Sequence, residues 1–165
     1  KSLKLIKKKT LMIKVNVISN NIAWRKFLRE PNLYIEKKIK RLNKKNKIHK
    51  KKKIFCTLLL SDNKKIKYLN KKFRNKNTST DVLSFPFYRK SELKKKLKKD
   101  KEIYIGDIIV NYNKISNKNN INSFKLEFDT LWVHGLLHLF GYDHKKNKDF
   151  LNMAKEEKKF LSYLN

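Results

Sequence analysis

Apolar and polar residues alternate through Met12-Ile13-Lys14-Val15-Asn16-Val17-Ile18, the two-residue period of a half-buried strand. Between Asn21 and Lys47 the period lengthens. Trp24, Phe27, Leu28, Tyr34, Ile35, Ile39 and Leu42 recur at helical spacing with Pro31 as a break, which predicts two short helices or one interrupted helix. Ile54 to Leu60 is a compact, strand-favouring apolar run closed by Ser61-Asp62, a pair suited to cap a helix. The helix that follows carries Ile66, Leu69 and Phe73 on one face and finishes at Arg74.

A polar loop, Asn75 to Ser79, then leads into a strand from Thr80 to Phe87, which Pro86 confines to a sheet edge or terminates. Arg89 to Lys101 reads as a charged, mobile connection. Glu102 to Tyr112 is a further strand, and Gly106 within it marks a place where backbone approaches something closely. After the polar stretch Asn113 to Asn122, helices are predicted from about Phe124 to Phe140 and from about Asp149 to Leu164. Strands mixed with helices, without regular βαβ alternation, predict an α+β fold: a single mixed sheet of about four strands covered by helices. A basic lead-in over residues 1–11 precedes one domain over residues 12–165.

The chain has 165 residues, enough for one modest core, and no run of apolar residues reaches the length of a membrane span. It reads as a soluble protein. Its one cysteine, Cys56, excludes an internal disulfide and a thiolate metal cluster and points to the reducing cytosol. The formal charge of +30 suits a nucleic-acid partner. Lysine is accompanied, however, by abundant asparagine, isoleucine and phenylalanine, a composition that AT-rich genomes impose, so charge alone does not establish that partner. Runs such as Lys50 to Lys53 and Lys94 to Lys99, and His49 beside the first, read as solvated surface.

Three of the four histidines fall within HGLLHLFGYDH, residues 134–144. On a helix, His134 and His138 present their rings to one point, and Gly141 lets the helix end in a left-handed cap. The chain then returns through Tyr142 and Asp143 and can deliver His144. Three imidazoles with a fourth position open to water describe a catalytic zinc site on a central helix and its exit turn, since structural sites are normally closed by four protein ligands. The metzincin peptidases share the spacing, with a glutamate after the first histidine as general base. Here that position is Gly135, which argues against a peptidase. Asp143, Asp81 and Asp107 are the candidate replacements, and spacing does not choose among them.

The chain resembles the YbeY endoribonucleases, a family of rRNA maturation factors, from about Met12 onward. The resemblance rests on four pieces in order: LNKKFRNKNTSTDVLSFPF (69–87), IGDIIV (105–110), Glu127 ahead of Leu131, and HGLLHLFGYDH. Ser79 stands where the family pattern usually has proline, and the asparagine-rich 113–122 stretch is expected to be irregular. The resemblance implies a single-strand-specific, zinc-dependent endoribonuclease acting on ribosomal RNA, in 16S 3′-end maturation and late quality control of 70S ribosomes, in the cytoplasm and without a membrane. Its partners would be single-stranded RNA, ribosomal RNA and the ribosome or small subunit.

The same resemblance places one zinc ion on His134, His138 and His144, and an important arginine on Arg74, so Arg74 and His134 are the catalytic candidates. A guanidinium can clamp the non-bridging phosphate oxygens in two-pronged fashion while zinc acts as Lewis acid and as the source of the attacking hydroxide. Asp143 is as well suited to orient His144 as to act as base. Glu127 lies two turns from His134 and reads as a structural hydrogen-bonding group. Trp132, Phe128, Leu131, Leu139 and Phe140 read as core, and Phe87 or Tyr88 as stacking faces for an unpaired base. Two other readings stay open: a zinc peptidase, and a non-catalytic, zinc-containing ribosome assembly factor.

Overall fold

Strands β1 (Leu11–Ser19), β2 (Lys52–Ser61), β3 (Val82–Pro86) and β4 (Glu102–Asn111) form one sheet in the order β1-β2-β4-β3. The computed structural model describes residues 11–45, 52–144 and 146–165. The residues of the lead-in before Leu11, and His49, lie outside that set. β1, β2 and β4 run parallel, whereas β3 pairs antiparallel with β4. The sheet is therefore mixed, and Pro86 does sit on an edge strand, where its missing N–H breaks no ladder. At the opposite edge the Asn43 side chain accepts from the Ile13 N–H and donates to the Ile13 carbonyl, each at 2.9 Å.

The helices are α1 (Pro31–Lys45), α2 (Asn63–Arg74), α3 (Lys90–Lys99), α4 (Ile121–Leu139) and α5 (Asn147–Leu164). Pro31 opens α1 instead of breaking it, because the first helical position has no intrahelical use for an N–H. Ahead of it lies a short 3-10 turn, Ile22–Lys26, capped by Phe27; Trp24 within it is buried and donates its indole N–H to the Ser61 carbonyl at 3.1 Å. α4 starts at Ile121, earlier than predicted, since the Asn120 side chain caps it by accepting from the Asn122 and Ser123 N–H groups. The predicted mobile connection from Arg89 to Lys101 is mostly helix. Leu93 and Leu97, one turn apart, turn a single apolar stripe to the core, and the Glu92 carboxylate accepts from the Arg89 N–H at 3.0 Å to close the first turn.

α4 packs on β4 and β3 on one sheet face. Phe124, Phe128, Trp132, Val133, Leu136 and Leu139 are buried along it, while Leu131 and Phe140 are half-buried at its margin. Buried Asp129 fastens this helix to α1: it accepts from Tyr34 Oη (3.0 Å), Lys38 Nζ (2.9 Å) and Trp132 Nε1 (2.9 Å). Burial, and then the nearby carboxylate, push the Tyr34 hydroxyl above its ordinary pKa, so it remains a donor. On the other sheet face α2 sets Ile66 on Leu83 and Ile109, a second, smaller cluster. Strand alternation separates the two: Ser84 and Ile108 face α4, and their neighbours Leu83 and Ile109 face α2.

Two glycines set how closely these layers approach. Gly106 adopts φ 134° beside a register shift in the β2–β4 pairing, and a Cβ there would sit 2.2 Å from the Phe85 carbonyl oxygen. Gly135 is the point at which α4 presses on the sheet; its Cβ would meet Ile108 Cγ2 at 2.6 Å and Ser84 Oγ at 3.1 Å. Ser84 Oγ donates to the Gly135 carbonyl at 3.2 Å. Gly135→Ala is expected to cost about 1–3 kcal/mol through this overpacking, read as a lowered denaturant midpoint with an unchanged slope.

Candidate metal centre

The pressed side of α4 determines what its opposite side displays. With Gly135 against the sheet, and Leu136 and Leu137 buried, His134 and His138 stand one turn apart on the outward side, half-buried at the wall of a cleft of about 1250 Å³. The helix then ends in a Schellman motif: the Gly141 N–H bonds the His138 carbonyl at 2.9 Å, and the Tyr142 N–H bonds the Leu137 carbonyl at 3.1 Å. Gly141 takes φ 84°, which glycine adopts cheaply. This reversal carries His144 back over the helix end. Its ring centre lies 5.7 Å from that of His134 and 5.1 Å from that of His138. One nitrogen from each ring can be chosen so that all three lie within 4.8 Å of one another.

The inner nitrogens have the stronger geometry. His138 Nδ1 lies 3.0 Å from the Tyr142 carbonyl, which only accepts, so that nitrogen carries the hydrogen and Nε2 bears a bare lone pair in the neutral ring. His134 Nδ1 faces the Glu157 carboxylate at 3.3 Å, with the same consequence for its Nε2. These two Nε2 atoms approach to 3.1 Å. Lone pairs held that close repel unless a cation stands between them. Two nitrogens on a tetrahedral ion at the usual zinc distance would be about 3.3 Å apart. The donor set therefore fits a divalent metal, with the Tyr142 carbonyl and Glu157 fixing ring orientation from behind.

Burial, followed by the charge of His134, lowers the pKa of His138 below its ordinary 6.5 and keeps the ring neutral as a ligand requires. Cleft walls come from other elements. Arg74 ends α2, where Asn75 adopts the left-handed conformation at φ 56°, and its side chain lines the cleft. The loop beyond it is tied down without the family's proline: Asn70 Nδ2 donates to the Thr78 carbonyl at 2.8 Å, and Asn111 Nδ2 to the Thr80 carbonyl at 2.8 Å. Phe87 and Tyr88 line the cleft as well.

Of the three carboxylates considered as base, Asp81 and Asp143 line the cleft. Asp81 Oδ1 accepts from Thr80 Oγ1 and the Val82 N–H, and Asp143 Oδ1 accepts from the His144 N–H at 2.8 Å, which shapes the exit turn. Asp107 is elsewhere. It projects from the sheet face opposite α4, where Tyr104 donates its hydroxyl to it. The register shift at Gly106 sets that facing, and it cannot be read from spacing. Glu127 accepts from the Ser116 and Asn117 N–H groups and ties the irregular 115–119 segment to α4, a structural role.

Glu157 escaped the sequence reading, although a signal exists. It lies four residues after Met153 and three before Phe160, both buried, so an acidic residue occupies the inward stripe of α5.

A cleft with three converging imidazoles and an arginine defines a class: proteins able to hold a metal ion beside an anion-binding side chain. A profile of the endoribonuclease YbeY family matches residues 19–165. The endoribonuclease YbeY of Pelagibacter ubique is 45% identical over 148 residues, covering 88% of this chain and 92% of its own. That of Fusobacterium nucleatum is 31% identical, covering 79% and 80%. A Thermotoga maritima protein whose structure was determined in solution superposes with a TM-score of 0.57 at 25% identity, over 92% of this chain and 89% of that one. The chain belongs to the endoribonuclease YbeY family, and so to the hydrolases that cut phosphodiester bonds within RNA.

Glu157→Ala should weaken metal binding by about 10- to 100-fold, measured by competition with a chromophoric chelator, with the circular dichroism spectrum unchanged. A second outcome concerns acid. Between pH 6.5 and the lower value of native His138, the unfolded chain takes up a proton that the folded chain refuses, so acidification removes stability. Metal-free wild type should therefore lose more Tm than His138→Gln between about pH 7.5 and about pH 5.5.

Proposed function

We propose that this chain is a zinc-dependent endoribonuclease that cuts single-stranded segments of ribosomal RNA in the cytoplasm, in 16S 3′-end maturation and in clearing defective 70S ribosomes. The observation that carries the reading is the approach of the His134 and His138 Nε2 atoms to 3.1 Å at the wall of an open cleft that Arg74 also lines. His134, His138 and His144 would hold one zinc ion, the borderline-soft cation that neutral imidazoles suit. When bound, it supplies Lewis acidity, which polarises a phosphoryl oxygen and acidifies water.

The chain's own groups do the rest. Arg74 reaches the cleft from the end of α2 and places two N–H donors on the non-bridging oxygens, where negative charge builds in the transition state. Lys76, Arg89 and Lys90 line the same cleft and draw the RNA backbone in. Asp81 and Asp143, which line the cleft, are the candidates to take a proton from the nucleophile. Gly135 speaks against the peptidase reading, because a glutamate in its place would point at Ile108 and Ser84, away from the imidazoles.

Purified protein should contain about one equivalent of zinc, and His138→Ala should contain none. Wild type should cleave a short unstructured RNA and leave its duplex intact, more slowly as salt rises. Arg74→Ala should retain the metal and lose about 100-fold or more in kcat. Metal-free wild type, or histidine variants that cleave normally, would overturn the proposal. So would zinc-loaded wild type that unfolds on chelation and cleaves no RNA, the behaviour of a structural zinc site.

A further inference from the structure

The sheet face opposite α4 is only partly covered. α2 closes one end through Ile66 and Leu69, with half-buried Phe85 at its border, and strand alternation brings Phe87, Tyr104 and Thr57 to the uncovered remainder. Large rings there are exposed where a soluble chain gains nothing by exposing them: Phe87 is 66% exposed, Phe73 60% and Tyr104 38%. They fall into two ring pairs. Phe73 on the last turn of α2 packs edge-on to Phe85 with ring centres 5.4 Å apart, and Phe87 meets Tyr104 at 6.1 Å. Lys72 Nζ stands 5.4 Å from the Phe73 ring, and the nearby Asp107 carboxylate is engaged by the Tyr104 hydroxyl.

This surface joins the metal cleft across the edge strand β3. Phe87 lines the cleft and also touches Tyr104 on the open face, while Arg74 in the cleft directly follows Phe73 on the face. We infer that the open face, with Phe73 and Tyr104 as its stacking surfaces, is a second binding surface for single-stranded RNA, taking the unpaired bases that flank the bond held in the cleft. The inference rests on the endoribonuclease reading. Bases present a flat π-surface whatever their sequence, so exposed rings on a sheet beside a basic groove bind single strands without selecting one. Phosphates would turn outward toward Lys72 and Lys76. A strand crossing β3 covers both sites at once, and the platform then contributes affinity and leaves the chemical step alone.

The test uses the zinc-loaded full chain, wild type beside Phe73→Ala/Tyr104→Ala, on two unstructured RNAs: one of about five nucleotides, enough for the cleft, and one of about twelve, enough to cross β3. The double variant should cleave the short RNA with unchanged kcat and KM. For the long RNA its KM should rise about tenfold or more with kcat retained. Photocrosslinking of the long RNA to wild type should label Tyr104 or Phe73 alongside cleft residues. Equal KM for both proteins on the long RNA, or crosslinks confined to the cleft, overturns the platform even when cleavage is intact. Wild type that crosslinks through Tyr104 or Phe73 yet cleaves neither RNA would keep the platform and sink the nuclease reading.

Discussion

The contact at Gly135 governs the site. Helix α4 meets the sheet with only a hydrogen where another residue would have a methyl, and Ile108 and Ser84 fill the remaining space. That contact fixes the rotation of the helix about its own axis, and rotation decides where every side chain along it points. Turned as it is, α4 commits Leu136 and Leu137 to the core and presents His134 and His138 to the cleft. A helix held farther off would be free to roll, and its two imidazoles would lose their common focus. The residue that distinguishes this chain from the zinc peptidases therefore has a positive role in packing, besides the absence of a base.

The ring orientations depend on groups that hold no metal. A carbonyl at the helix exit and a carboxylate from α5 occupy the outer nitrogens of His138 and His134, so that the inner ones face each other. Each outer contact is modest by itself. Together they exclude the tautomers that would place a hydrogen between the two rings. The two inner nitrogens are thereby the pair that would hold a cation.

Much of this was legible in the amino-acid sequence. The alternation from Met12 to Ile18, the capped run ending at Asp62, and Gly141 three residues beyond His138 each have a local cause, and local causes can be read from one stretch of chain. What escaped was non-local. The helix from Lys90 to Lys99 is held by two leucines against the core, and its lysines conceal a stripe only two residues long. Asp107 is one of three candidate bases that spacing does not tell apart, and the register shift at Gly106 turns it to the other sheet face. Glu157 belongs to a helix distant in sequence from the histidines, and only the packing of α5 on α4 brings the two together.

The side chain of Asn43 has a consequence for the chain's behaviour in solution. An open sheet ends in rows of unsatisfied amides and carbonyls, and such rows invite recruitment of further copies into fibrils. Here one border is blunted by an amide that impersonates a neighbouring strand at Ile13, the other by the ring of Pro86. Each border of the sheet thus carries one position at which a further strand cannot complete its ladder.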